Sequence, residues 1–414
     1  KNYTDVEKKR SNLDFDIDGI VYKINDFSLQ KRLGNVANAP RWAIAHKFSS
    51  NKGISEIIDI DIQIGRTGAL TPVAKIKPIN IGGVVVSNAT LHNEDEIKRK
   101  DIRIGDTVTV ERAGDVIPHI LTVDLKKRLE KSTKFIFPTS CPSCGSKTVK
   151  EFNLVTKKKD AVRRCSSEDY YCDKISIEKL KHFVSKEAFN IDGLGKKIVE
   201  SFWKLKLIKY PHDIFKLDYD KIKKLEGWGS LSVENLKYSI NKKKNISLDR
   251  FIYSLGIRHI GLENAKLLSK YFISFENLMN FSNANKYEDL LNIDGIGETQ
   301  VNSLKNFFLN KINLKILREL EIVLNIKNAT TIKKNGLLKN KSFLVTGKLD
   351  GISRAEIKSL IEENSGISVS SVSKKLNYLI AGTKPTKRKI ENAKELKITI
   401  ISQNEFLSML NKTS

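Results

Sequence analysis

Apolar residues change their spacing several times along this chain, and each change marks a different kind of element. Two short stretches in the first fifty residues, Asp16-Ile17-Asp18-Gly19-Ile20-Val21-Tyr22-Lys23-Ile24 and Arg41-Trp42-Ala43-Ile44-Ala45-His46-Lys47-Phe48, place alternate residues on opposite faces and predict strands. Residues 50–128 carry closely spaced β-like runs, such as Val84-Val85-Val86 and Thr107-Val108-Thr109-Val110, separated by Gly-Asp and Gly-Gly turns. These predict a small β-barrel. Residues 176–320 read as helical, with apolar helix-like stretches such as Ile198-Val199-Glu200-Ser201-Phe202-Trp203, each opened by a glycine turn. The pattern turns polar over 321–334, Lys/Asn/Thr-rich near its end, which predicts a linker. From 335 to 414 a compact α/β pattern follows. Phe343-Leu344-Val345-Thr346-Gly347, Tyr378-Leu379-Ile380-Ala381-Gly382 and Ile398-Thr399-Ile400-Ile401 are its strands. Ser353-Arg354-Ala355-Glu356 reads as a capping box, and Ser402 as the cap of a closing helix.

The glycine turns repeat. They are Ile191-Asp192-Gly193-Leu194-Gly195, Leu225-Glu226-Gly227-Trp228-Gly229, Leu255-Gly256-Ile257-Arg258-His259-Ile260-Gly261 and Ile293-Asp294-Gly295-Ile296-Gly297. Their last glycines are spaced 34, 32 and 36 residues apart. A period of this length implies a stacked array of helical units. Glycine permits positive φ and close backbone approach, and the amides that follow point outward at the positive end of the next helix, where a phosphate oxygen can sit. Such sites suit a phosphate backbone read without regard to sequence. Gly193, Gly195, Gly227, Gly229, Gly261, Gly295 and Gly297 are therefore the candidate DNA contacts. The alternative is that these glycines only end helices. In the third copy extra residues stand between the glycines, which makes its phosphate site the weakest.

Charge changes the picture modestly. The 414 residues carry 73 Lys and Arg against 48 Asp and Glu, a formal charge of +25, which favours a polyanion. Lys, Ile and Asn are abundant throughout, as an AT-rich genome produces, so part of this charge is compositional. Lysines 221, 223 and 224 and lysines 242–244 nevertheless cluster beside the hairpins. No apolar run reaches membrane-spanning length and no signal peptide is apparent, so a soluble, cytoplasmic protein is expected, with no membrane partner and monomer as the default state.

All four cysteines, Cys141, Cys144, Cys165 and Cys172, fall within one short segment, against a disulfide-stapled secreted fold. Cys141-Pro-Ser-Cys144 presents two thiolates to one ion, and the second pair completes a closed tetrahedral zinc site, expected to be structural. Arg163 and Arg164 are expected to offset the thiolate charge. The alternative is a redox pair at Cys141 and Cys144.

Lys23 and Lys47 end neighbouring apolar strands, from which they could converge on a phosphate; equally, they could be edge lysines facing solvent. Arg66, in Gly65-Arg66-Thr67-Gly68, lies at a glycine-flanked bend and either reaches a phosphate or is a solvated loop arginine. The barrel around it is of OB type, a common nucleic-acid binder.

The order of these parts resembles the C-terminal portion of the bacterial NAD⁺-dependent DNA ligases over essentially the whole chain. The strings DIDGIVYKIN, APRWAIAHKF, GRTGALTPVAKIKPI, SNATLHNEDEI, RIGDTVTVERAGDVIPHI and CPSCG carry it, with the hairpin array and the last α/β unit. The resemblance implies a multi-domain α+β chain. Residues 1–49 finish a nucleotidyltransferase (adenylation) domain, 50–128 form an OB-fold domain, and 129–175 a four-cysteine zinc finger. A helix-hairpin-helix domain covers 176–320, a linker 321–334, and a BRCT-type domain 335–414. It further implies that Lys23 and Lys47 line the adenylate pocket as catalytic and cofactor-binding residues, and that Arg66 engages DNA at the nick. His46 stands where the family usually has an aromatic residue, and the second cysteine pair is more widely spaced than usual.

Family chemistry has three steps: a lysine takes AMP from NAD⁺, AMP passes to the 5′-phosphate at a nick, and the 3′-hydroxyl displaces it. Mg²⁺ or Mn²⁺ assists, and the product serves replication and repair. The nucleophile belongs to a Lys-x-Asp-Gly motif. Lys348-Leu349-Asp350-Gly351 matches that motif but lies in the BRCT-type unit, far along the chain from Lys23 and Lys47, so the nucleophile is expected upstream of Lys1. The chain by itself is then expected to bind nicked duplex without becoming adenylylated. The competing expectation is a non-catalytic DNA-binding remnant or scaffold.

Overall fold

The computed structural model describes residues 2–410 except 16, 37–38, 114–116, 131, 154–156, 169, 285–286, 330–335, 351, 353, 355–356, 358–359, 362–363, 370 and 374–375. The capping box at Ser353 and Glu356, Gly351 of the Lys-x-Asp-Gly match, and the centre of the ERAGDVIP string lie outside the described residues.

Strand Gly19–Lys23 pairs antiparallel with Ala43–Lys47, in a register that sets Gly19 opposite Lys47 and Lys23 opposite Ala43. Around this ribbon Val21, Phe27 and Ile44 are exposed, and Phe48 is the buried apolar side chain. His46 takes up the aromatic role: its ring stacks on Tyr3 at 4.1 Å.

The barrel expectation is met by a closed five-stranded sheet. Its strands, in spatial order, are Asn51–Ile64, Leu70–Ile81, Val84–Thr90, Ile117–Val123 and Thr107–Ala113. Along Leu70–Ile81 the side chains of Leu70, Ala74 and Ile76 point inward and meet Ile57, Val108, Val110 and Ile120, the period-two pattern of a filled barrel. The helix Glu94–Lys100 bridges the third and fourth strands in chain order and is capped by Asn93. Where the barrel closes, fully buried Asp106 accepts two 2.8 Å bonds from the Arg128 guanidinium.

A two-stranded hairpin, Thr148–Asn153 with Lys158–Cys165, carries the cysteine segment. It joins the barrel through the Gly65–Gly68 turn: the Cys165 amide donates to the Gly68 carbonyl at 2.9 Å. The helical region shares one continuous core, from Leu180 and Phe183 to Leu317 and Leu320. The expected linker begins later than 321. Helix Lys311–Val323 runs into it, and strand Asn325–Lys327 pairs parallel with Asn245–Ser247, because Leu324 and Ile326 still pack on that core.

The last unit is a four-stranded parallel sheet in the order 367–368, 342–346, 378–381, 399–402. Phe343 and Val345 face one apolar layer while Leu344 faces the other, which explains why Ser342–Thr346 is buried throughout.

Candidate nucleic-acid interface

Each glycine hairpin is built the same way. The amides of Leu194, Trp228, Ile260 and Ile296 donate to the carbonyls of Ile191, Leu225, Ile257 and Ile293 at 3.3, 3.1, 3.1 and 3.0 Å. The residue before each of these donors has positive φ: 80° at Gly193, 81° at Gly227, 62° at His259 and 94° at Gly295. The third hairpin is therefore not elongated. His259 occupies the left-handed position that glycine fills elsewhere, and Gly256 is a separate turn upstream. Histidine is among the few other residues enriched in this region of backbone space.

The second glycine of each copy is the N-cap of the next helix, and its carbonyl accepts from Val199, Val233, Ala265 or Val301 at 2.9–3.1 Å. At Gly195, Gly229 and Gly261 φ lies between −72° and −89°, conformations any residue adopts. A Cβ added at any of the three would meet nothing within 4 Å. Nothing inside the protein demands glycine there, so the bare surface serves whatever approaches from outside. No side chain caps these three helices, which leaves their first amides facing solvent. Lys196 and Lys197 flank the first set and are exposed. The fourth copy differs, since the Gly297 amide donates to Gln300 Oε1 at 3.1 Å.

Arg66 is half-buried at the junction of the barrel, the cysteine hairpin and the helical array. Its Nε is buried without a hydrogen-bond partner. It lines a cavity of about 220 Å³ together with Lys179, Gly256, Arg258, Phe307 and Asn313. His182, next to it, is held below the ordinary histidine range by burial and also by the Arg66 charge. This is not the setting of a freely solvated loop arginine.

The four cysteine sulfurs lie within 4.8 Å of one another, with Cys141–Cys172 at 3.9 Å and Cys144–Cys165 at 3.6 Å. Tetrahedral zinc with bonds of about 2.3 Å separates its sulfurs by about 3.8 Å, so this donor set fits that ion, Cys172 included despite its wide spacing. Arg163 and Arg164 do not serve the thiolates as expected; carboxylates claim both. Arg164 bonds Asp160 at 3.2 Å and Thr67 at 3.1 Å. Arg163 bonds buried Glu94 at 3.0 Å, and Lys98 reaches the same carboxylate at 2.7 Å. Burial alone would raise the Glu94 pKa, yet the hydrogen bonds of Arg163 and Lys98 bring it down to about 2. Sequence reasoning missed Glu94; its only local signal is a place directly after a capping Asn, and its partner Arg163 lies 69 residues away.

Lys23 and Lys47 are not brought together. They sit at opposite ends of the two-stranded ribbon, four residues apart in register and hence roughly 13 Å apart along it. Both are exposed, and Lys47 pairs with Asp18 at 2.9 Å. Lys348 lies two residues beyond Ser342–Thr346, an inner strand of the parallel sheet, and its amide donates to the Thr383 carbonyl.

Family models match four segments. These are an NAD-dependent DNA ligase adenylation domain over residues 1–51, an NAD-dependent DNA ligase OB-fold domain over 54–133, a helix-hairpin-helix motif over 250–317 and a BRCT domain over 333–410. A DNA ligase of Pelagibacter ubique (strain HTCC1062) is 69% identical over 412 residues, covering 100% of this chain and 61% of its own length. DNA ligases of Wolbachia pipientis wMel and Rickettsia bellii (strain RML369-C) are 47% and 44% identical, over 99% of this chain and 62% and 60% of theirs. The chain thus spans about three fifths of the length of the curated relatives it matches.

Proposed function

Because the chain belongs to the NAD⁺-dependent DNA ligase family, we propose that it is the DNA-gripping portion of an enzyme that seals nicks in duplex DNA. NAD⁺ supplies the adenylate in that chemistry, and Mg²⁺ or Mn²⁺ neutralises charge on the phosphoryl oxygens. In this reading Lys23 and Lys47 bind successive parts of the adenylate rather than one oxygen, which accommodates their separation along the ribbon. The cysteine quartet holds structural zinc. The protein acts as a monomer on nicked duplex in replication and repair, in the bacterial cytoplasm. Among the described residues no helix is long and apolar enough to cross a membrane.

One observation carries the DNA-binding reading: the hairpin glycines at helix N-caps with open space around them and uncapped amides behind them. It gives a separation-of-function test. Aspartate is a better N-cap than glycine and fits at Gly195 and Gly229 without strain. Its carboxylate would cover the amides and repel a phosphate. The double variant G195D/G229D is therefore expected to keep or slightly gain stability, by a few tenths of a kcal/mol, while nicked-duplex affinity falls at least about tenfold. Filter binding across a salt series reads it. Unchanged affinity would remove these hairpins from the interface.

A second expectation concerns chemistry. Incubated with NAD⁺ and Mg²⁺, this polypeptide should bind a nick yet gain no covalent adenylate. Intact-mass spectrometry showing one added AMP would place the nucleophile within these residues after all.

A further inference from the structure

The second position of the hairpins reads Asp192, Glu226, Arg258 and Asp294. One copy inverts the charge, and it is the copy in which His259 replaces the left-handed glycine. That arginine leaves its own domain. Its guanidinium bonds Glu151 and, at 3.2 Å, Asp160, both on the cysteine-bearing hairpin. Asp160 also takes Arg164, whose other arm reaches Thr67 in the barrel turn. Beneath it, Gly256 lies so close to the His182 ring that a Cβ there would meet it at 3.0 Å.

We propose that the third hairpin is a dock rather than a fourth equal grip. Arg258 is a positioning residue that locks the helical array onto the zinc module and so fixes its angle to the barrel. The hairpin has two ends with two uses. Arg258 reaches the zinc module, while Gly261, exposed and uncapped, remains open to solvent. His259 is held at φ 62°, a left-handed conformation that disfavours side chains, in the same copy in which Arg258 makes this contact. The part of the proposal that concerns DNA rests on the function proposed above; the docking itself does not.

The test has two arms. Spin labels carried on a ketone-bearing amino acid at exposed Val85 and Tyr238 leave the cysteines untouched and report the distance from barrel to array. Arg258→Glu is expected to broaden that distance distribution, and adding Glu151→Arg to narrow it again. Arg258→Met, which keeps the aliphatic stem, should broaden it as well and serves if the charge reversal does not fold. In the second arm, Arg258→Met weakens nicked-duplex binding about fivefold, by lowering the fraction of protein already in the competent arrangement. The slope of log affinity against log salt stays unchanged. A direct phosphate contact would instead lower that slope by about 0.9. An unchanged distance distribution in both single variants overturns the dock. A reduced slope without rescue by Glu151→Arg overturns it too and makes Arg258 a DNA contact. Failure of the unsubstituted chain to bind nicked duplex would count against the functional reading alone, since the distance arm contains no DNA.

Discussion

Cys144→Ala is expected to abolish zinc retention and unfold residues 129–175. Structural zinc contributes on the order of 10 kcal/mol in small modules at neutral pH, more than the module's other ties to its neighbours. Among the described residues its regular structure is one two-stranded hairpin, which is marginal by itself. Buried Cys141, Cys165 and Cys172 pack into the same apolar cluster as barrel residues, so the damage should spread to the Gly65–Gly68 turn and to the helix Asp173–Phe183, which starts at Cys172. Metal analysis should read one zinc per chain before substitution and none after, and limited proteolysis should cut first between 141 and 172. Full protease resistance in metal-free protein would refute a structural ion.

Acid is expected to part the barrel from the zinc module at Glu94. This carboxylate is 5% exposed and bound by Arg163, Lys98 and, at 3.5 Å, Lys150. Its folded pKa of about 2 lies below the unfolded glutamate value of 4.5. A depressed carboxylate contributes stability that is fully present above the unfolded value and is lost as pH falls towards the folded one, here between about 4.5 and about 2. The contribution is about 3 kcal/mol at neutral pH. Glu94→Gln should cost a similar amount at pH 7 and almost nothing at pH 2. Urea unfolding followed at both pH values tests this, and equal losses at the two would show that the ion cluster is not responsible.

Much of this architecture was legible because its signals are local. The alternation in Thr107-Val108-Thr109-Val110, the uniformly apolar Phe343–Val345 strand and the Cys-x-x-Cys turn each carry their meaning within a few residues. What escaped depends on pairing across distance. Alternation placed Lys23 and Lys47 on strands, but only the register shows that they occupy opposite ends. Arg163 and Arg164 adjoin Cys165 in sequence, yet Glu94 and Asp160 outcompete the sulfurs for them in space. The third hairpin reads as elongated when Gly256 is taken for its first glycine, whereas a histidine does that backbone work. Arg258 stands out among the acidic second positions only once the structure aligns the third hairpin with the others, and its partners lie about a hundred residues earlier.

The pairing of Asn245–Ser247 with Asn325–Lys327 also sets a timetable for biosynthesis. Its two strands are 80 residues apart, and a bacterial ribosome adds about 5–20 residues per second, so the first waits roughly 4–16 s for its partner to be made. Throughout that interval the barrel and the zinc module can already be complete, and the third hairpin has a finished surface to settle on. The helical array thus has a template that precedes it in the chain, and the domain closes only when residues 325–327 arrive to pair with 245–247.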